Sequence, residues 1–398
     1  MNPGLDLLQP YPFERLAALL LGVAPSATKT TIDLTIGEPA HATPGFIIDA
    51  LIAALDTTSR YPATKGLVEL RGAIARWLSR RYQLPESSVD AERHILPLNG
   101  TREGLFAVAQ FWLNRDEKDA LVVMPNPGYQ VYEGATLLAG GTPHYLNLDA
   151  GNGYLPDFSS VPEHVWRRCR LLYLCSPSNP TGRVMPFAML DEVVQLAQRY
   201  KFLVVADECY AELYDDEDAP PPGILEVAHR CGIQDFRNCV TVHSLSKRSN
   251  VPGLRSGFIA GDPSVIANLY RYRTYHGCAM PLFTQHASIA AWNDDAHVRT
   301  NRQRYRDKFD ALDPILGPLL GARRPEGGFY YWAQVPGDEE NFTRNLFQHE
   351  AVKVVPGRYL ARDFAGANPG RSHVRIALVQ ELAECIEAAH RIATFFQR

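Results

Sequence analysis

No stretch of the sequence approaches the roughly 18 consecutive apolar residues of a membrane-spanning helix, so no membrane partner is expected. No cysteine pair has CxxC spacing and no Cys/His spacing suits zinc, so no metal is expected. The seven cysteines are an odd number in a chain of 398 residues and read as reduced thiols of a cytosolic protein. No repeat with a period of roughly 20–50 residues occurs, and no low-complexity tract. No Gly-Lys-Ser/Thr follows Gly100, which excludes a Walker loop. Neither sign of charge dominates: 40 basic residues face 44 acidic ones, a formal net charge of -4. That balance excludes a generally basic nucleic-acid binder. With 46% hydrophobic and 21% charged residues, the chain has a core to bury and is not a charged disordered polymer. Leu16–Ala24, followed by Pro-Ser-Ala, has the look of a secretory signal core. The segment before it carries Asp6 and Glu14, with only Arg15 basic, so an N-terminal arm and an amphipathic helix are expected instead.

What the sequence does have is alternation. Helical spacing over Phe46–Leu55, Leu67–Tyr82 and Glu103–Trp112 is interleaved with short apolar runs at His94–Leu98, Ala120–Met124, Leu171–Cys175, Phe202–Ala206, Val240–His243 and Leu254–Ala260. Continuous apolar strands between helices predict an α/β fold, its sheet mostly parallel and covered on both faces, with the last run antiparallel to its neighbours. From about Trp292 the pattern changes to long charged helices, Asn293–Leu320 and Glu381–Arg398, around an aromatic strand at Gly328–Gln334 and a turn at Pro356-Gly357. The expected organisation is an N-terminal arm belonging partly to a small domain (1–48), a large domain (49–290) and a small C-terminal α+β domain (291–398).

In open α/β sheets, ligands sit beyond the carboxyl ends of the strands. The strands deliver Thr101 and Arg102 after Asn99-Gly100, then Tyr129, Asn179, Asp207 with Tyr210, and Ser244, Ser246 and Lys247, with Arg255 eight residues on. Together these suit an anion, an aromatic ring, a ring cation and an aldehyde, which is the combination pyridoxal 5'-phosphate presents. A desolvated Lys247 can form an imine with an aldehyde. Asp207, costly after a buried strand unless paired, can hold a pyridinium N–H and keep the ring an electron sink. Asn179 and Tyr210 can bond the ring's 3'-oxygen, and Tyr129 can stack on its face. The helix start at Thr101-Arg102, the two serines and Arg255 can hold the phosphate. Taken singly, each has a plainer reading: a surface lysine, a helix-capping aspartate, turns at Asn99-Gly100 and Ser178–Gly182. The set requires one explanation.

SPSNPTG at 176–182, ADECY at 206–210 and SLSKRSNVPGLRSGF at 244–258 resemble the motifs of class I/II aminotransferases of fold type I, over nearly the whole chain. The resemblance implies that Gly37, in IGEP, lies on the substrate side. It implies that Tyr61 reaches the phosphate of a neighbouring subunit in a homodimer with shared active sites, and that Arg375, in VRIAL, clamps the substrate α-carboxylate. Longer stretches, among them GEPAHATP and YRTYHG, are most similar to proteobacterial N-succinyldiaminopimelate aminotransferases, which implies a succinylated amino donor and 2-oxoglutarate/glutamate as the partner pair. Ala40 stands where such sequences tend to have lysine. Aspartate, alanine, aromatic or kynurenine transamination, or C–S lysis, stays open on the same scaffold. A transcription regulator would need a helix-turn-helix domain within the 35 residues before Ile36. Arg102, Arg248, Arg273 and Arg358, with His41 and His276, are the candidates for reading the distal part of the substrate.

Overall fold

The structure, a computed structural model, describes residues 1–117, 119–321 and 323–397. In chain order the strands are β1 (Ile32–Asp33), β2 (Ile95–Leu98), β3 (Leu121–Asn126), β4 (Thr142–Asn147), β5 (Cys169–Cys175), β6 (Leu203–Asp207), β7 (Cys239–Ser244), β8 (Gly257–Gly261), β9 (Tyr330–Gln334), β10 (Val352–Lys353), β11 (Val355–Pro356) and β12 (His373–Ala377). The central sheet has seven strands in the order β2-β8-β7-β6-β5-β3-β4. β3 to β7 are mutually parallel, and β8 runs antiparallel to both β7 and β2.

Two cores explain the continuous apolar runs. Leu172, Leu174, Val204 and Ala206 point into a cluster on one face of the sheet, with Trp77, Phe202 and Trp292. Leu171, Tyr173, Leu203 and Val205 alternate with them into a second cluster on the other face, with Tyr132 and Ile259. Each fully buried Val or Leu contributes roughly 1.5–3 kcal/mol, so a polar residue within such a strand would cost as much as several contacts return. Polar residues therefore collect at the strand ends.

A smaller unit carries the three-stranded sheet β11-β12-β9 and the parallel pair β1-β10, packed around Leu34, Leu316, Leu346, Val354 and Ile376. Through β1, the segment before residue 36 pairs with residues 352–353. Two boundaries differ from expectation. The single charged helix expected from Asn293 is two helices, Leu282–Asn293 and Ala296–Leu320. They part because Asp294 accepts a bond from the His297 amide at 2.9 Å, competing with helix continuation. β8 starts at Gly257, not Leu254, because residues 252–254 form a 3-10 turn that ends with Arg255 in the left-handed region, at φ 51°. The last helix spans Leu382–Phe396, and Arg398 lies outside the described residues. Among the described residues no helix is long and apolar enough to cross a membrane.

Candidate active site

The strand register brings three chain ends to one edge. Gly257 opens β8 opposite both Leu98, which closes β2, and Ser244, which closes β7. Two residues beyond Leu98 comes Gly100, and two before Gly257 comes Arg255. A Cβ on Gly100 would overlap the Arg255 guanidinium, and Gly100 sits at φ +81°, so glycine is required twice over. Gly100 precedes the helix Thr101–Trp112, whose first amides lack intrahelical partners. Helix start, guanidinium and the buried Ser244 and Ser246 thus form one cradle with the chemistry of a phosphate site.

These groups line a cavity of about 510 Å³ with Gly37, Tyr129, Asn179, Asp207, Tyr210, Lys247 and Arg375. Twelve of the thirteen residues singled out in the sequence are therefore together. Tyr61 is the exception: it lies outside the cavity of its own chain, wholly exposed.

Asp207 closes β6 and is buried. Burial raises its pKa, against the bonds donated by the Tyr132 hydroxyl at 2.8 Å and the Cys209 amide at 3.2 Å. A carboxylate so placed calls for a cationic partner. Lys247 follows Ser246 in the short helix Leu245–Arg248; burial lowers its pKa to about 8, and its Nζ donates to the Gly37 carbonyl. A Cβ on Gly37 would strike the Tyr330 hydroxyl, so that close approach also requires glycine. The Tyr210 and Tyr330 hydroxyls are 2.9 Å apart. Arg375 on β12 is buried; it donates to Asn179 Oδ1 at 3.0 Å and to the Thr35 carbonyl at 2.6 Å, lies over the Tyr330 ring at 4.5 Å, and keeps Nε without a partner. Arg102 Nε donates to the Tyr129 hydroxyl at 2.6 Å.

Pyridoxal 5'-phosphate fits this donor set. The cradle suits the phosphate, Asp207 suits the ring nitrogen, and the low-pKa amine of Lys247 suits the aldehyde. With Lys247, Arg255 and Asp207 suited to the cofactor, Arg102 and Arg375 remain in the lining against the one carboxylate Glu38, so anionic substrates are favoured as well.

Most residues expected to read the distal substrate are engaged elsewhere. Arg248 is buried against Trp292, 4.9 Å from its ring centroid, and bonds Asp295 at 2.7 Å. Arg273 is buried on Glu103 at 2.9 Å. Arg358 is held by Asp338, Glu339 and Glu340. His41 is buried, 3.3 Å from Asn301 Oδ1. His276 lines a separate apolar groove of about 530 Å³ that shares Tyr11, Pro12, Arg102, Gln130 and Arg255 with the main cavity. Arg102 alone of these candidates lines the main cavity. Outside that cavity, Glu103, His276 and Cys278 come within 4.8 Å of one another, but Arg273 already holds the carboxylate. The seven cysteines are all unpaired.

Sequence reading missed Tyr330, Tyr132, Cys209 and Tyr11. Tyr132 carried a usable signal, lying three residues after Tyr129 and so on the same helix face. Tyr330 lay in an aromatic strand where nothing set it apart from Tyr331, and Tyr11 carried none.

A mostly parallel sheet with a lysine, an aspartate and a phosphate cradle at its strand ends defines a pyridoxal-phosphate enzyme of fold type I. The chain belongs to the class I and II aminotransferase family, whose model matches residues 29–392; members depend on pyridoxal phosphate, and the protein is an aminotransferase. It is similar to an aminotransferase of Neisseria meningitidis Z2491, with 46% identity, 100% of each chain covered and a TM-score of 0.95. It is also similar to aminotransferase AspB of Helicobacter pylori 26695, with 36% identity, 98% of this chain and 99% of that one covered, and a TM-score of 0.90. The LL-diaminopimelate aminotransferase of Nitratidesulfovibrio vulgaris is 32% identical over 98% of this chain and 97% of its own. That of Desulforudis audaxviator is 33% identical over 97% and 95%. Those two names specify diaminopimelate without the succinyl group implied by the sequence resemblance.

Proposed function

We propose that the protein transfers the amino group of N-succinyl-LL-2,6-diaminopimelate to 2-oxoglutarate, giving L-2-succinylamino-6-oxoheptanedioate and glutamate on the route to diaminopimelate and lysine. The observation that carries the reading is the convergence of Lys247, Asp207 and Arg375 on one cavity with a phosphate cradle. Pyridoxal phosphate supplies an aldehyde for the amino group and a ring that withdraws electrons from the substrate Cα. Arg375 grips the α-carboxylate with two parallel bonds and so orients the Cα–H. Lys247, neutral above about pH 8, would take the proton from the substrate Cα onto its own Nζ. Asp207 would keep the ring nitrogen protonated. Tyr210 and Asn179 would bond the ring hydroxyl, Tyr129 would cover the ring face, and Thr101, Ser244, Ser246 and Arg255 would hold the phosphate. Amino donor and oxo acceptor use the cavity in turn, so ping-pong kinetics are expected.

The succinylated form is favoured by charge. Beyond Arg375, the unassigned cation in the lining is Arg102, beside a groove of about 530 Å³ into which an acyl arm can extend. Unmodified LL-diaminopimelate is the second reading. It is favoured by the names of the relatives at 32% and 33% identity and by Glu38, a rim carboxylate that would suit a distal ammonium. Measuring kcat/KM for the two donors with 2-oxoglutarate separates them: a tenfold preference for the unmodified form, about 1.4 kcal/mol in the barrier, overturns the first reading. The working form is a homodimer with shared sites. Exposed Tyr61, with Ile48, Ile52 and Tyr275 also exposed, supports this.

A further inference from the structure

Asp207 meets the rest of the protein through a group that the sequence motifs do not mark. Tyr132 lies in the helix Gln130–Leu138, three residues after Tyr129, and is buried. Its hydroxyl donates to Asp207 Oδ2 at 2.8 Å, while the Cys209 amide donates to Oδ1 at 3.2 Å. Its ring cannot swing away. It stacks on Tyr173, with centroids 4.7 Å apart and planes at 12°, and meets Tyr129 edge-on at 5.7 Å. Tyr173 is fixed in turn by donating to the Leu105 carbonyl at 2.7 Å. One turn of helix therefore carries both Tyr129, which lines the cavity, and Tyr132, which bonds the Asp207 carboxylate.

We infer that Tyr132 is a positioning residue: its hydroxyl holds the Asp207 carboxylate ionised and in register with the cofactor's ring nitrogen. The inference rests on the reading of Asp207 as the partner of that nitrogen. Its physical basis is the competition at Asp207. Burial favours the neutral acid, which would put a proton where the ring N–H must bond. A phenol donor favours the charged form, and a hydrogen bond to a charged group is among the stronger ones. The tyrosine keeps its own proton, because burial and the carboxylate both raise its pKa. It therefore acts as a fixed donor rather than as an acid.

The test is a binding experiment on the full chain stripped of cofactor. Affinity is measured for pyridoxal phosphate and for its analogue with C–H in place of the ring nitrogen, in wild type, Tyr132→Phe, Asp207→Ala and the double variant. Tyr132→Phe is expected to weaken pyridoxal phosphate about tenfold while leaving the analogue within twofold, and to add nothing in the Asp207→Ala background. With cofactor saturating, kcat should fall about tenfold or more at an unchanged KM for the amino donor. Equal weakening of both probes would mean that the hydroxyl supports the site without acting through the ring nitrogen, and would overturn the inference. So would an undiminished preference for the ring nitrogen in Tyr132→Phe. Tyr173→Phe, which loses a buried hydroxyl in the same stack but no bond to Asp207, should keep the wild-type preference; loss of that preference there would also count against a specific role for the Tyr132 hydroxyl. A wild type that binds both probes alike would instead refute the reading of Asp207, a separate failure.

Discussion

Replacing Arg375 by lysine keeps the charge and removes the fork. Arg375 spends one terminal nitrogen on the Thr35 carbonyl and the other on Asn179, with Nε free. A substrate carboxylate needs two of these nitrogens at once, and the rigid guanidinium provides them without surrendering both protein contacts. A lysine ammonium in the same place reaches one carboxylate oxygen only. One charge-assisted bond is worth roughly 1.5–3 kcal/mol, so Arg375→Lys should lower kcat/KM by a factor between about ten and 150. Arg375→Ala removes both bonds, and the loss should be roughly 150-fold to 20,000-fold. The assay is initial rate against amino donor concentration at saturating 2-oxoglutarate, in parallel with the half-reaction on an amine of the same skeleton that lacks the α-carboxylate. The clamp reading requires the variants to lose rate on the amino acid and to keep their rate on the amine within a few-fold. Equal losses on both would place the defect in the folded site instead of the clamp. An Arg375→Lys enzyme with wild-type kcat/KM would refute the two-bond geometry outright.

Three other outcomes follow from named atoms. Lys247 of the cofactor-free protein should react with an amine-modifying reagent with a midpoint near pH 8, against 10.5 for an ordinary lysine. The unfolded chain holds that proton up to the higher value, so folding stability should rise with pH between the two, and Lys247→Met should remove the rise. Gly100→Ala should weaken pyridoxal phosphate about tenfold to a hundredfold by displacing Arg255 from the cradle, and lower stability by about 1–2 kcal/mol through the φ +81° strain, read by cofactor titration and thermal melting. Mixing inactive Tyr61→Ala and Lys247→Ala proteins should restore up to about a quarter of wild-type activity, since half the dimers are hybrids with one intact site of two; no recovery after verified subunit exchange would refute sharing.

The sheet and its chemical edge were legible because burial on both faces leaves a one-dimensional trace. LLYLC and FLVVA can only be interior strands, and the first polar residue after each, Asp207 above all, must stand at the sheet's edge. The same trace put Asn179 and Lys247 at that edge, and Arg375 was singled out by motif resemblance alone. β4, of which only Leu146 is buried, and β12, interrupted by Arg375, lacked that trace, and no expectation covered either. What the sequence could not carry was partnership. Tyr132 meets Asp207 across 75 positions, Tyr330 meets Tyr210 across 120, and Arg375 meets Thr35 across 340. None of these pairs leaves a local pattern. The same blindness inflated the number of cations assigned to the distal substrate. Arg248, Arg273 and Arg358 are as visible in the sequence as Arg102, yet each forms an ion pair elsewhere once the chain folds. A guanidinium counts toward a site only if folding leaves it unneutralised beside the cavity. Arg102 meets that condition: its partner is the neutral Tyr129 phenol, so it keeps its full charge in the cavity lining, where it would attract an anionic substrate.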